Sequence, residues 1–241
     1  MDRIREALAL IEKENNVHIL FACEAGSRAW GYDRAESDYD VRFIYVHEIE
    51  WYLTLFQKSD VIEKAADEVE LHGWDIKKAL GLLTKSNPTL LEWLQSPIIY
   101  RESDSFHRVR ELAGEMIQLK PVMFHYTKMG KKNLTNYRES GKQKHLLYAL
   151  KSVLFTEWIY DRKRIPDKKV QELLQWSTIP VRLKVTCAYL LNRKVIQHDN
   201  LVSDFLEQQL NVYEEKAKEL PMHETNREKV DHLYRELIEN D

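Results

Sequence analysis

The first 120 residues carry short apolar runs whose period changes between that of a helix and that of a strand. Ile4, Leu8 and Ile11 recur at helical spacing and predict an opening amphipathic helix. Residues 17–23 form an apolar run of strand length, and residues 38–46 alternate as a half-buried strand does. The same reasoning predicts a short aromatic-rich helix over 50–56, a third strand within 69–76, helices over 77–84 and 88–94, and a last strand at 98–100.

From about residue 121 the pattern is helical nearly to the end of the chain. One buried helical stripe stands out within residues 145–160, formed by Leu146, Leu147, Leu150, Val153, Leu154 and Ile159. The sequence therefore predicts an α+β fold in two parts, an α+β domain over residues 1–117 and an all-helical domain over 118–241.

Composition agrees with a soluble globular protein. Of the 241 residues, 44% are hydrophobic and 31% are charged, which is enough apolar material for a proper core. The charged opening does not resemble a signal peptide, and no apolar run approaches the length of a membrane span. The two distant cysteines, Cys23 and Cys187, predict buried thiols in a reducing compartment. These features predict a cytoplasmic protein with no membrane partner.

Charge is distributed unevenly along the chain, although the net charge is only -3. Residues 120–169 hold 13 Lys and Arg against four Asp and Glu. Such an excess is typical of a surface that faces a polyanion such as RNA. Helices with solvated basic faces explain the same excess equally well.

Two aspartates at strand spacing provide the candidate chemistry. Strand alternation places Asp38, Asp40 and Arg42 on one face of the predicted second strand. Neighbouring carboxylates repel each other, and a divalent cation relieves that repulsion. Mg²⁺ prefers oxygen ligands, and two such ions about 4 Å apart can clamp both oxygens of a phosphoryl displacement. A Ser-Asp-x-Asp stretch that merely caps a turn is the alternative.

A small-residue turn precedes these aspartates by eleven residues. Gly26 permits backbone conformations that other residues resist, and successive N–H groups in such a turn can bind an anion. Ser27 adds a hydroxyl donor, and Arg28 could reach a phosphate oxygen. Arg42 could likewise contact a phosphate, or pair with Asp40 instead. A phosphate-binding turn beside a metal-binding strand predicts a nucleotide site at Gly26, Ser27, Arg28 and Arg42.

Together these stretches resemble the DNA polymerase beta-type nucleotidyltransferase superfamily. The resemblance lies in residues 24–31 and 37–45 and continues through 73–80, 87–94 and 144–151. It is closest to the bacterial predicted nucleotidyltransferases of the RNA-repair-pathway polymerase-beta family. It covers most of the chain, and it implies a minimal catalytic domain with a small mixed sheet.

The resemblance also implies roles for individual residues. Gly26 and Ser27 would bind the triphosphate, and Asp38 and Asp40 would hold Mg²⁺. Members of the superfamily add a third carboxylate on a neighbouring strand, and Asp75 is the best match here for a catalytic and metal-binding acid.

Two alternatives to this third acid stay open. Glu70 takes its place if the strand register differs by a few residues. Asp75 could instead be the N-cap of the following helix.

The resemblance implies a Mg²⁺-dependent enzyme that moves a nucleoside monophosphate from a nucleoside triphosphate, with ATP favoured, to an acceptor hydroxyl. Pyrophosphate would leave. An RNA end is the favoured acceptor, and a protein hydroxyl or a small molecule is the alternative. A second hypothesis is a catalytically inactive nucleotide-binding or antitoxin-like module that acts through a protein partner. That hypothesis predicts that Asp75 lies away from Asp38 and Asp40.

Overall fold

The computed structural model describes residues 2–56, 58–66, 68–192 and 200–240. These residues form two compact units. The first unit takes the described residues within 1–29, 33–117 and 224–241. The second takes those within 30–32 and 118–223.

The first unit alternates strands and helices along most of its length. It begins with α1 (Asp2–Asn15), β1 (Val17–Glu24), α2 (Gly26–Trp30) and β2 (Tyr39–His47). It continues with α3 (Ile49–Tyr52), β3 (Val61–Ala66), β4 (Val69–Asp75), α4 (Ile76–Leu83), α5 (Pro88–Leu94), β5 (Ile99–Glu102) and α6 (His107–Met116).

The five strands form one mixed sheet in the order β3-β4-β2-β1-β5. β2 and β4 run parallel, whereas β1–β2, β1–β5 and β3–β4 are antiparallel pairs. This arrangement confirms the prediction of an α+β fold with a small mixed sheet. β1 is buried except at His18, and β2 is buried at Val41 and over residues 43–46, which explains the apolar sequence of both strands.

One face of the sheet packs against α1. The buried residues of this face come from α1, β1, β2 and β4: Ile4, Leu8, Ile11, Val17, Ile19, Ala22, Val41, Phe43, Tyr45, Val69 and Leu71. The α1 residues recur every three or four positions and the strand residues every two, because those are the periods at which side chains return to one face. The exception is Ala22, which follows Ile19 by three positions because β1 has a bulge between Ile19 and Phe21.

Most predicted elements of this unit are found close to their predicted positions, with two differences. The predicted helix over 50–56 is shorter, because α3 ends at Tyr52. The sequence analysis also missed β3, an edge strand whose sequence Val-Ile-Glu-Lys-Ala-Ala lacks a regular alternation. An edge strand has one paired side only, so its side chains are held less strictly to an apolar and a polar face.

The second unit is helical in its described residues. Its main helices are α7 (Leu119–Ser140), α8 (Gln143–Arg162), α9 (Val170–Trp176), α10 (Val181–Leu191) and α11 (Asn200–Lys218). The predicted stripe of α8 is buried, and Gly130 of α7 lets Leu210 and Ser152 approach closely. No helix in the described part of the chain is both long and apolar enough to cross a membrane.

The last helix, α12 (Arg227–Asn240), belongs to the first unit. Its Tyr234 ring lies edge-on to Tyr52, with centroids 5.8 Å apart. Its Lys229 and Glu236 form ion pairs with Glu115 and Arg108 of α6. The grouping therefore differs from the predicted domain of residues 118–241, because the amphipathic α12 finds its partners on the earlier unit.

Gly73 of β4 lies against the ring of Phe43 in β2, so Gly73→Ala should destabilise the protein. An added Cβ would lie 2.1 Å from Cε2 of Phe43, and such overpacking typically costs about 1–3 kcal/mol. Urea unfolding measures the effect. The control is Gly81→Ala in α4, where an added Cβ meets nothing within 4 Å, and a gain of about 0.5–1 kcal/mol is expected. A Gly73→Ala variant as stable as the wild type would contradict the contact.

Candidate active site

The predicted turn is the first turn of α2, directly after the central strand β1. Gly26 has a left-handed φ of +59°, a conformation that favours glycine. An added Cβ would lie 1.9 Å from Oδ2 of Asp40, so the Gly26 backbone and the Asp40 carboxylate are in contact. Both the conformation and the space at this position require glycine. The structure thus brings together the turn and the aspartate strand.

Asp40 is the second residue of β2 and is partly exposed. Its Oδ1 accepts a hydrogen bond from Nη2 of Arg42 at 3.1 Å, so the two form an ion pair. Its backbone is held by the end of β1: the Ala25 N–H donates to the Asp40 carbonyl at 2.8 Å, and Glu24 Oε1 accepts from the Asp40 N–H at 2.9 Å. Arg42 is therefore bonded to Asp40, as one of the two sequence hypotheses predicted.

Asp38 and Ser27 flank this contact, and their side chains form no ion pair or hydrogen bond with the described part of the chain. Asp38 is exposed, directly precedes β2 and lies two residues before Asp40. Ser27 is half-buried, and its hydroxyl makes no hydrogen bond within the described residues. An available hydroxyl beside a glycine turn suits a phosphate oxygen.

Arg28 has a different place from the predicted one. Its guanidinium stacks on the ring of Tyr39 at 4.2 Å and donates to the carbonyls of Ser37 and Asp38. It also pairs with Asp33 at 3.6 Å. Arg28 therefore ties the loop before β2 to α2, and these hydrogen bonds use two of its five N–H donors.

The strand register decides which acid accompanies Asp40. In the parallel β2–β4 pair, Asp40 is opposite Glu70, and Tyr45 is opposite Asp75. Paired positions of adjacent strands present their side chains on the same face. Glu70, which is exposed, therefore shares the face of Asp40, whereas Asp75 lies five positions further along and on the other face. Five strand positions span about 16 Å.

The hypothesis that Asp75 joins Asp38 and Asp40 is thus corrected by the structure. Asp75 is buried and caps α4: its side chain accepts from the Lys77 N–H at 2.8 Å and from the Tyr52 hydroxyl at 2.7 Å. It borders a separate cavity of about 490 Å³, together with Trp51 and Lys58. Burial raises the pKa of the Asp75 carboxyl, and the two hydrogen bonds partly oppose that rise. Its role is that of a helix cap.

The carboxylate oxygens around Asp40 are ligands of the kind that Mg²⁺ prefers, but they do not form a complete coordination site. No group of three His, Cys, Asp or Glu in the described residues is arranged to hold a metal ion. Mg²⁺ is usually bound by one or two carboxylates together with substrate phosphates and water. Asp38, Asp40 and Glu70 fit that mode, because all three offer hard oxygens at one edge of the sheet.

Two functional candidates received too little weight in the sequence analysis. Val69-Glu70-Leu71 repeats the acid between apolar neighbours seen in Tyr39-Asp40-Val41, and this repeat was the available signal for Glu70. Glu24 carries no such signal, because its carboxylate reaches Asp40 only through tertiary structure. Burial raises the pKa of Glu24, and hydrogen bonds from Tyr100 and the Asp40 N–H oppose the rise.

Part of the basic excess of residues 120–169 is neutralised inside the second unit. Lys131 pairs with Glu214, and Arg138 pairs with Asp204 and Glu207, all three acids lying on α11. Lys151 is buried, with its ammonium group 4.8 Å from the Trp30 ring centroid. The basic residues that stay exposed on α7 and at the start of α8 include Lys128, Lys132, Lys142 and Lys144.

A mixed sheet that sets a Gly-Ser turn against an Asp-x-Asp strand, with an acid in register on the next strand, is the arrangement of a nucleotidyltransferase. The comparison with protein families agrees. The chain belongs to the RNA repair pathway DNA polymerase beta family, whose model matches residues 1–236. The family resemblance found in the sequence is confirmed, and the chain is a nucleotidyltransferase.

A curated relative and a solved structure are also similar to this chain. The relative, uncharacterized protein YcgL of Bacillus subtilis (strain 168), is 36% identical over 229 residues, which is 90% of this chain and 88% of YcgL. The structure is that of a nucleotidyltransferase-like protein from Exiguobacterium sibiricum 255-15, with 15% identity and a TM-score of 0.37, covering 89% of this chain and 78% of that one. The family assignment rests on the match to the family model.

The raised pKa of Asp75 predicts a pH-dependent effect of Asp75→Asn on stability. The folded protein holds the Asp75 proton above the ordinary pKa of 3.8, so wild type loses stability as the pH rises through the folded value. Asn keeps an acceptor for the Lys77 N–H and carries no charge. The unfolding free energy of the variant minus that of wild type should therefore increase between pH 3 and pH 7, by about 1.4 kcal/mol for each unit of pKa difference. Urea unfolding across this range measures it, and a constant difference would contradict a raised pKa.

Proposed function

We propose that the protein is a Mg²⁺-dependent enzyme that transfers a nucleoside monophosphate from a nucleoside triphosphate to an acceptor hydroxyl and releases pyrophosphate. ATP is the favoured donor, and an RNA end is the favoured acceptor. The observation that carries this proposal is the register of β2 and β4, which places Glu70 beside Asp40 on one face while Gly26 lies against the Asp40 carboxylate.

In this proposal the turn and the acids have separate tasks. The Gly26 backbone and the Ser27 hydroxyl bind the triphosphate, and glycine allows the phosphates to approach the main chain closely. Asp38, Asp40 and Glu70 hold Mg²⁺, which when bound neutralises phosphate charge and lowers the pKa of the acceptor hydroxyl.

Arg42 balances the charge of the site. Its guanidinium is bonded to Asp40. Arg42 is opposite His72 of β4, two positions after Glu70 and on the same face of the sheet. Without a cation, Arg42 offsets the repulsion between the two carboxylates. With nucleotide bound, the same guanidinium is within reach of the added phosphate charge, which Arg recognises well because of its planar fork of donors.

One observation favours a second candidate function, an inactive nucleotide-binding or antitoxin-like module that acts through a protein partner. That hypothesis predicted that Asp75 would lie away from Asp38 and Asp40, and the register places it there. Glu70 can supply the third carboxylate in its place, so the active enzyme stays the better proposal. Transfer of label from a triphosphate separates the two.

Asp40→Asn and Glu70→Gln should each reduce nucleotidyl transfer by at least about 100-fold, because each removes a proposed carboxylate ligand of the Mg²⁺ that would balance negative charge in the transition state. The measurement supplies α-labelled ATP, Mg²⁺ and total cellular RNA, and follows labelled product and released pyrophosphate. The other three triphosphates test the donor preference.

Asp75→Asn is the matched control for this assay, since it also removes a carboxylate from the same sheet. Its transfer rate should stay within about threefold of wild type, because Asn still caps α4. Loss of activity in Asp75→Asn with full activity in Glu70→Gln would reverse the assignment of the third acid. No transfer by the wild type from any triphosphate would favour the inactive module.

Binding of single-stranded RNA should weaken steeply with salt if the exposed lysines contact phosphates. The double variant Lys128→Gln/Lys132→Gln should reduce the slope of log K against log salt by about 1.4, since each contact contributes about 0.7. The probe is a 12-nucleotide single-stranded RNA, followed by fluorescence anisotropy.

The matched control for the RNA experiment is Arg138→Gln. Arg138 lies on the same helix, but its guanidinium is already paired with Asp204 and Glu207. Its removal should change the slope by less than about 0.5, because a paired cation releases few counterions from RNA. Binding that is insensitive to salt in the wild type would count against an RNA acceptor.

A further inference from the structure

We infer that Glu24 is a positioning residue: its buried carboxylate, held by Tyr100, fixes the backbone of Asp40 against the turn at Gly26. This inference rests on the proposed function, because it concerns the geometry of the proposed metal and phosphate site.

Consecutive residues at the end of β1 bind both polar groups of the Asp40 backbone. Glu24 Oε1 accepts from the Asp40 N–H at 2.9 Å, and the Ala25 N–H donates to the Asp40 carbonyl at 2.8 Å. Gly26, the next residue, is in contact with the Asp40 carboxylate. Residues 24–26 therefore determine the distance between the candidate metal ligand and the candidate phosphate-binding turn.

The Glu24 carboxylate is itself held in place. Its Oε2 accepts a hydrogen bond from the Tyr100 hydroxyl of β5. The Glu24 main chain is bonded as well, because its N–H donates to the Ile98 carbonyl at 2.9 Å and its carbonyl accepts from Ser96 Oγ at 2.6 Å. The anchor thus extends from β5 through Glu24 to Asp40.

Burying the Glu24 carboxylate lowers the stability of the fold, so its presence calls for a functional reason. Glu24 has 0% exposed surface, and it forms no ion pair with a Lys, Arg or His of the described residues. Buried charges without a counter-ion are rare because they lose their hydration. Hydrogen bonds to a carboxylate are, however, about twice as strong as those to a neutral acceptor. The charge of Glu24 therefore strengthens the hydrogen bond that holds the Asp40 backbone in place.

Glu12 also accepts a hydrogen bond from a backbone N–H of a strand, but that strand residue is not part of the candidate site. Its Oε1 accepts from the Ile19 N–H of β1 at 2.9 Å and pairs with Arg101 at 2.6 Å. Removal of Glu12 should therefore cost stability without changing the geometry around Asp40. Glu12→Ala is the matched control for Glu24→Ala.

Two measurements on the full-length protein test the inference. Amide hydrogen exchange by NMR reports the bond from the Asp40 N–H to Glu24. Electron paramagnetic resonance of free Mn²⁺, with ATP present and well below the unfolding temperature, reports ligand binding at the site. Glu24→Ala should speed exchange at Asp40 by at least about tenfold and weaken Mn²⁺·ATP binding by about tenfold, since bonds to charged groups are worth that much.

Conservative variants separate positioning from a general loss of structure. Glu24→Gln keeps an acceptor for the Asp40 N–H but loses the charge, so it should weaken Mn²⁺·ATP binding by less than Glu24→Ala does. Tyr100→Phe removes only the outer bond and should give an intermediate change in both measurements. These two variants also keep the inference testable if Glu24→Ala does not fold.

Several results would overturn the inference: wild-type exchange at Asp40 in Glu24→Ala, wild-type Mn²⁺·ATP binding in the same variant, or an equal loss of binding in Glu12→Ala. Failure of the proposed function gives a different result. In that case the wild type itself binds no Mn²⁺·ATP, while exchange at Asp40 still shows whether Glu24 holds that backbone.

Discussion

The parallel pairing of β2 with β4 is the constraint on which the candidate site depends. A shift of one position would move Glu70 to the face opposite Asp40 and would replace the Gly73–Phe43 contact by a residue with a side chain. Gly73 fits under the Phe43 ring only in the observed register. A packing contact in the core therefore determines which acids meet at the edge of the sheet.

The second feature of the site is that its carboxylates repel one another and lower the stability of the folded chain. Asp38, Asp40 and Glu70 lie near one end of the β2–β4 pair, and Glu24 is buried behind Asp40 with no ion pair to any of the residues that the structure describes. Arg42 offsets part of this charge directly. Carboxylates assembled in this way favour the arrival of a cation, because each bound cation removes repulsion that the folded chain otherwise carries.

The helical unit shows how a charge count can mislead. Residues 120–169 are strongly basic in sequence, but α11 supplies acids to Lys131 and Arg138, and Lys151 packs against aromatic rings. What is left for a polyanion is a smaller set of exposed basic residues on α7, at both ends of α8 and in the segment between α8 and α9. These positions are the surface that the structure offers to the proposed RNA acceptor.

The sequence by itself determined the α+β class, the strands that carry the turn and the aspartates, and the family, because period and local spacing are properties of neighbouring residues. Only the tertiary structure decided that Glu70 accompanies Asp40, that Asp75 caps α4, that Arg28 binds the loop before β2, and that α12 packs on the first unit. Each of these depends on which distant segments pair, and pairing is determined by packing across the whole sheet and its helices.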